Sequence, residues 1–222
     1  MMSDIGHIIR ELHVSLPEDV ELVAVSKFHP VEALLEAYRA GQRVFGESRQ
    51  QELIEKLPQM PSDVRWHFIG HLQTNKVRSI VGRVALIESV DTEKLLSVIN
   101  AEAAKAGVVQ PVLMQVHVAR EETKFGFLPD ELIEFFASGK AASYTSVRFR
   151  GVMGMASNTD DEERVRADFA AIRRTYEAIR ATGAAPEQFD VISMGMSHDY
   201  KLAIAEGSNM VRIGTMIFGD RE

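Results

Sequence analysis

Lys27 closes the apolar run Val20-Glu21-Leu22-Val23-Ala24-Val25-Ser26 and stands just ahead of Phe28-His29-Pro30. The run reads as a buried parallel strand and Pro30 as the opening of an amphipathic helix, so the lysine falls at a strand's carboxyl end. Ligands of parallel α/β proteins bind at that end. A lone lysine there is most often simply solvated, but a partly desolvated one is a nucleophile that forms a Schiff base with an aldehyde. Two later stretches offer what an anion needs. Ser193-Met194-Gly195-Met196-Ser197 leads into a helix near His198, and Arg212-Ile213-Gly214-Thr215 leads into Met216-Ile217-Phe218-Gly219. Glycine lets backbone N–H groups approach a ligand, hydroxyls add donors, and a helix amino terminus favours negative charge. Ser197 is expected to act as helix N-cap and phosphate donor at once. Arg212 lies inside an apolar strand and needs a carboxylate or a ligand acceptor as partner. Amine, anion loops and guanidinium together fit a flat heteroaromatic aldehyde phosphate, and pyridoxal 5′-phosphate (PLP) has that chemistry.

Other residues carry less. His67 and His71 are four apart but straddle a strand end, so a metal pair is not expected and His67 reads as a hydrogen-bonded residue near the core. Met153, Met155, Met194 and Met196 are expected to pack the upper layer of a barrel. Lys76, Lys124 and Lys201 read as solvated, with Glu121 spaced to pair with Lys124. The chain has no cysteine, which excludes disulfides and thiolate catalysis. A net charge of −7 gives no electrostatic reason to expect nucleic acid or an anionic membrane as partner.

The elements that must position these groups follow from periodicity. A helix is expected around residues 3–14, with Ile5, Ile8, Ile9 and Leu12 on one face. Eight β-rich segments come after it: Val20–Ser26, Arg43–Gly46, Trp66–Ile69, Ala85–Ser89, Val112–Val118, Val147–Met153, Val191–Ser193 and Met210–Ile213. Helical spacing separates them, most clearly from Asp160 to Ala181, where Thr159 and Glu162 form a candidate capping box. Eightfold βα alternation in 222 residues predicts a single (β/α)8 barrel over residues 1–222 with an extra N-terminal helix, an open doubly wound sheet being the competitor. The amino terminus lacks a secretory pattern and no apolar run is long enough to span a bilayer, so a cytoplasmic protein is the expectation.

The residues also resemble a known family. Val25-Ser26-Lys27 with Pro30, Phe45-Gly46-Glu47, and Trp66-His67-Phe68-Ile69-Gly70 with Leu72-Gln73 and Asn75-Lys76 match it in order. So do Glu121 with Lys124 and Gly126, Ser193-Met194-Gly195-Met196-Ser197 with Asp199, and Val211-Arg212-Ile213-Gly214-Thr215 with Ile217-Phe218-Gly219. The chain resembles the pyridoxal phosphate homeostasis proteins, which are similar to the barrel domain of alanine racemase without its second domain. The resemblance implies that Lys27 carries the cofactor as an internal aldimine and that Arg212 faces the pyridine nitrogen. It implies that Ser197, Gly214 and Thr215 hold the phosphate, that Gly195 and Met196 shape that loop, and that Asn75 lies near the cofactor. Two positions depart from the family's usual pattern: Ser48-Arg49 where asparagine and tyrosine are usual, and His117 where asparagine is common.

An arginine at the ring nitrogen disfavours its protonation and weakens the cofactor as an electron sink. The chain ends at Glu222, soon after the eighth strand, and a second domain that could supply a second base is not expected. The expectation is therefore a PLP carrier in intracellular PLP homeostasis, with little or no turnover, no assigned catalytic residue and no metal. A PLP-dependent amino-acid racemase is the alternative, and a barrel binding another phosphorylated metabolite is a third reading. PLP-dependent apoenzymes are the candidate recipients, and nothing demands more than a monomer.

Overall fold

The computed structural model describes residues 5–118 and 125–219. Helix α1 (Ile5–Ser15) buries Ile5, Ile9 and Leu12 on the face anticipated from their spacing. Eight parallel strands follow: β1 (Glu21–Val25), β2 (Val44–Glu47), β3 (Arg65–Phe68), β4 (Leu86–Val90), β5 (Gln110–Val116), β6 (Val147–Gly154), β7 (Val191–Ser193) and β8 (Met210–Ile213). They form a closed barrel in chain order. Closure rests on β1 pairing with β8, with Glu21 opposite Met210 and Ala24 opposite Ile213, which rules out the open sheet.

The connections are α2 (Val31–Arg39), α3 (Gln50–Lys56), α4 (Glu93–Ala106), α5 (Pro129–Ala137), α6 (Glu162–Ala181) and α7 (Tyr200–Ala205), with α8 (Thr215–Phe218) after the last strand. The alternation is not strict. Between β3 and β4 the crossover contains a 3-10 helix, Thr74–Ser79, in place of an α-helix, and Leu72, Val77 and Ile80 do the packing. Thr92 caps α4 by accepting from the Leu95 N–H, and Gly107 ends it in the left-handed conformation. The cap of α6 lies later than its sequence pattern implied. The Thr159 hydroxyl accepts from the Asp161 N–H, so Asp161 takes the extended N-cap position and accepts from Arg164. Val165, Phe169, Ile172, Tyr176 and Ile179 then bury one stripe of α6 against the barrel.

Two apolar layers result. The outer one fills the space between strands and helices. The inner one is Val23, Val44, Leu86, Leu113, Met153, Val191 and Met210, with Met155 packed against it. Met194 belongs to the outer layer instead of the barrel's upper interior, because adjacent strand residues alternate faces.

Candidate functional site

Stepping two residues along a strand returns to the same face, so the interior layer above the apolar one is built from residues two positions later. From Val44, Leu86, Val191 and Met210 that step reaches Gly46, Glu88, Ser193 and Arg212. The contacts bear this out across the lumen. Glu88 on β4 accepts from Ser193 on β7 at 2.6 Å, and those strands are not neighbours. His67 on β3 pairs with Glu88 through Nδ1 at 2.7 Å. Arg212 donates to the Ser193 hydroxyl at 2.5 Å and to the Gly154 carbonyl at 3.0 Å, with Glu88 Oε2 3.7 Å away. Arg212, Glu88, His67 and Ser193 are all buried. The partner that a buried arginine required is thus Glu88.

The electrostatics follow from this arrangement. Burial alone would push the Glu88 carboxyl up. The hydrogen bond and charge of His67, the charge of Arg212 and the Ser193 hydroxyl together hold it below its ordinary value. Burial pulls the Arg212 guanidinium below its ordinary value, opposed by the charges of Glu88 and Asp199. A guanidinium stays charged under such a pull, so a fixed cation sits at the top of this layer.

Above it opens a cavity of about 260 Å³ lined by Lys27, Met196, Ser197, Arg212, Gly214 and Thr215, together with Val25, Ser48, Ile69, Met155 and His198. Six of the eight predicted site residues therefore meet in one place. Gly195 and Asn75 are not among its lining residues. Gly195 makes the turn instead: its φ is +97°, and a Cβ there would stand 2.6 Å from Ala203 Cβ and 2.9 Å from Tyr200 Cα. Asn75 is exposed at the start of the 3-10 helix after β3.

Ser197 does not cap α7, whose N-cap is Asp199. Its hydroxyl accepts from the N–H groups of Gly214 and Met216, at 3.2 and 3.4 Å, and so serves the opening of α8. The loop that carries it is braced by Asp199, which accepts from the Met196 N–H at 2.5 Å. Two backbone N–H groups and the Ser197 hydroxyl thus converge where β7 and β8 end, and Thr215 also lines the cavity there.

Ser48 lines both this cavity and a neighbouring one of about 270 Å³ that also holds Arg49, His71, Gln73 and Lys76. The Arg49 guanidinium lies 4.6 Å over the Phe28 ring, and His71 pairs with Asp91 at 2.8 Å. His67 and His71 thus serve different carboxylates. His117 has a buried Nε2 with no hydrogen-bond partner among the described residues. Glu121 and Lys124 lie outside the described residues. The His67–Glu88–Ser193 chain was missed by sequence reasoning. Its signal was the repeated apolar-to-polar step at i, i+2 in β4, β7 and β8.

The fold is thus a closed (β/α)8 barrel whose carboxyl face carries a lysine, a buried guanidinium and hydroxyl- and glycine-bearing loops after β7 and β8 around one cavity. Residues 2–222 match the family model described as alanine racemase, N-terminal domain, and the chain belongs to that family. It is 42% identical over 207 residues to the pyridoxal phosphate homeostasis protein of Schizosaccharomyces pombe, covering 91% of this chain and 85% of the relative. Among solved structures it is similar to PipY of Synechococcus elongatus PCC7942 with PLP bound, at 36% identity and a TM-score of 0.88, covering 97% of this chain and all of that one. Alanine racemase from Streptomyces lavendulae shares the fold, with a TM-score of 0.80 at 17% identity over 97% of this chain and 56% of that one.

Proposed function

We propose that this protein binds PLP covalently through the Lys27 amine and holds and releases it in PLP homeostasis, with little or no enzymatic turnover. The observation that carries the reading is the donor set of one cavity: Lys27, Arg212, and the Ser197, Gly214 and Thr215 groups at the opening of α8. Its described lining residues include no carboxylate that would repel a phosphate. These residues fit the cofactor, with the hydroxyls and N–H groups for the phosphate, the lysine for the aldehyde and the guanidinium for a ring acceptor. When bound, PLP supplies an aldehyde that condenses reversibly with amines. The name of the yeast relative and the PLP in PipY support the same reading.

The preference for a carrier over an enzyme rests on two features. Arg212 is a permanent cation, which disfavours a second positive charge on a neighbouring ring nitrogen and leaves the ring a weak electron sink. A racemase also needs a second base across from the lysine. Apart from Lys27 and the Arg212 guanidinium, the one nitrogen-bearing side chain among the described lining residues is that of His198, which is 59% exposed and 3.3 Å from Asp199. No helix among the described residues is long and apolar enough to cross a membrane. As part of the same proposal, the protein is a cytoplasmic monomer that supplies PLP-dependent apoenzymes.

Purified protein mixed with PLP is expected to turn yellow, and borohydride is expected to fix the cofactor on the peptide carrying Lys27. A colourless protein that takes up no PLP, indistinguishable from its Lys27→Ala variant, would refute the proposal.

A further inference from the structure

Beneath the Lys27 turn lies a charged cluster that cofactor binding does not itself use. Lys56, the last residue of α3, is 5% exposed. Its Nζ donates to the Ser26 carbonyl at 2.8 Å, to Glu47 Oε1 at 2.8 Å and to Glu52 Oε1 at 2.6 Å. Three acceptors exhaust an ammonium's donors. Glu47 Oε1 also accepts from the Ser26 hydroxyl at 2.7 Å, and Glu52 Oε1 accepts from the Phe28 N–H at 2.5 Å. Glu52 and Lys56 are four apart and share one face of α3. One helix therefore grips the main chain on both sides of Lys27, at the carbonyl of Ser26 and at the N–H of Phe28.

That grip coincides with strained backbone. Phe28 has φ +69°, the only positive φ at a non-glycine among the described residues. A bulky side chain rarely adopts this conformation, and such a residue persists where its surroundings over-determine it. The cluster is also a poor stabiliser for its own sake. Burial pushes the Glu47 carboxyl up, opposed by Lys56 and Ser26, and Glu47 Oε2 has no hydrogen-bond partner among the described residues. Apolar side chains of similar shape serve stability as well as a buried ion pair does. What the charges add is a fixed geometry at residues 26 and 28.

We infer that Lys56, with Glu52 and Glu47, is a positioning group for Lys27: it holds the strained turn so that the amine enters the cavity shared with Arg212 and Ser197. None of the three lines that cavity, and they act through Ser26 and Phe28. The inference rests on Lys27 being the cofactor-holding amine.

The test uses the full chain and free PLP. Glu52→Ala leaves Lys56 and Glu47 paired one to one, so the barrel is expected to melt within a few degrees of wild type. Borohydride fixation of PLP on Lys27 is expected to slow roughly tenfold, with roughly tenfold faster amide exchange at Phe28 in the cofactor-free protein. Adding Phe28→Gly to Glu52→Ala is expected to recover most of the fixation rate, because glycine adopts positive φ unaided. A charge-neutral double variant, Lys56→Met with Glu47→Gln, is expected to slow fixation further. Wild-type rates in both Glu52→Ala and the double variant, or no recovery with Phe28→Gly, would overturn this inference alone. A wild-type protein that fixes no PLP would overturn the cofactor reading together with it.

Discussion

Arg212 shows how a single residue is made usable as a fixed cation. A guanidinium taken out of water needs compensation, and Glu88 supplies it from the opposite wall through Ser193, while His67 keeps the carboxylate paired. Because the Glu88 carboxyl is held below its ordinary value of 4.5, its ionised form contributes stability. That contribution is fully present above the unfolded value and is lost as pH falls through the lower folded one. Glu88→Gln is therefore expected to lower stability at neutral pH by about 3 kcal/mol, since it removes one of the two carboxylates, Glu88 and Asp199, whose charges offset the buried Arg212. In thermal melts at a series of pH values, the gap between variant and wild type is expected to narrow below the ordinary carboxylate range. A gap that stays constant down to strong acid would remove the charge pairing from this account.

At the scale of elements, the ends of β7 and β8 form one device. Gly195 turns the chain tightly enough for α7 to pack against the strand end, Asp199 fixes the Met196 N–H, and Ser197 reaches across to the opening of α8. The hydroxyl stands in contact with the donors that an anion would use. Ser197→Ala removes an acceptor for two exposed-end N–H groups, which is expected to lower stability by about 1 kcal/mol. Its larger effect is expected on anion binding. Competition between PLP and inorganic phosphate should show weaker binding of both in the variant, by roughly tenfold for PLP. If PLP affinity is unchanged while phosphate no longer competes, the phosphate lies elsewhere.

At the scale of the whole molecule, the barrel shares its architecture with alanine racemase, yet the described face offers one well-placed amine and a fixed cation. Architecture does not carry activity with it. Incubation of the PLP-loaded protein with a panel of L-amino acids, followed by chiral analysis, is expected to show no D-isomer above the free-cofactor background. Turnover at an ordinary enzymatic rate of about 1 per second or more would reverse the preference for a carrier.

The sequence by itself determined the strand count, the barrel class and most of the cavity. Buried parallel strands leave continuous apolar runs, and Lys27, Ser197, Arg212, Gly214 and Thr215 stand out because each interrupts or ends such a run. It also made Ser197 a helix N-cap and the βα alternation strict, where the structure caps α7 with Asp199 and has a 3-10 helix after β3. These depended on local geometry finer than a pattern of side-chain types. Only the tertiary structure decided which groups meet across the lumen. Glu88 and Ser193 are 105 residues apart and on non-adjacent strands, so no spacing rule links them until the barrel closes. The same holds for Lys27, which reads in sequence as one lysine at a strand end. Its turn is gripped by Lys56 and Glu52 only because α3 folds back against the neighbouring strand, and burial then turns ordinary surface residue types into a rigid set of charge-assisted hydrogen bonds.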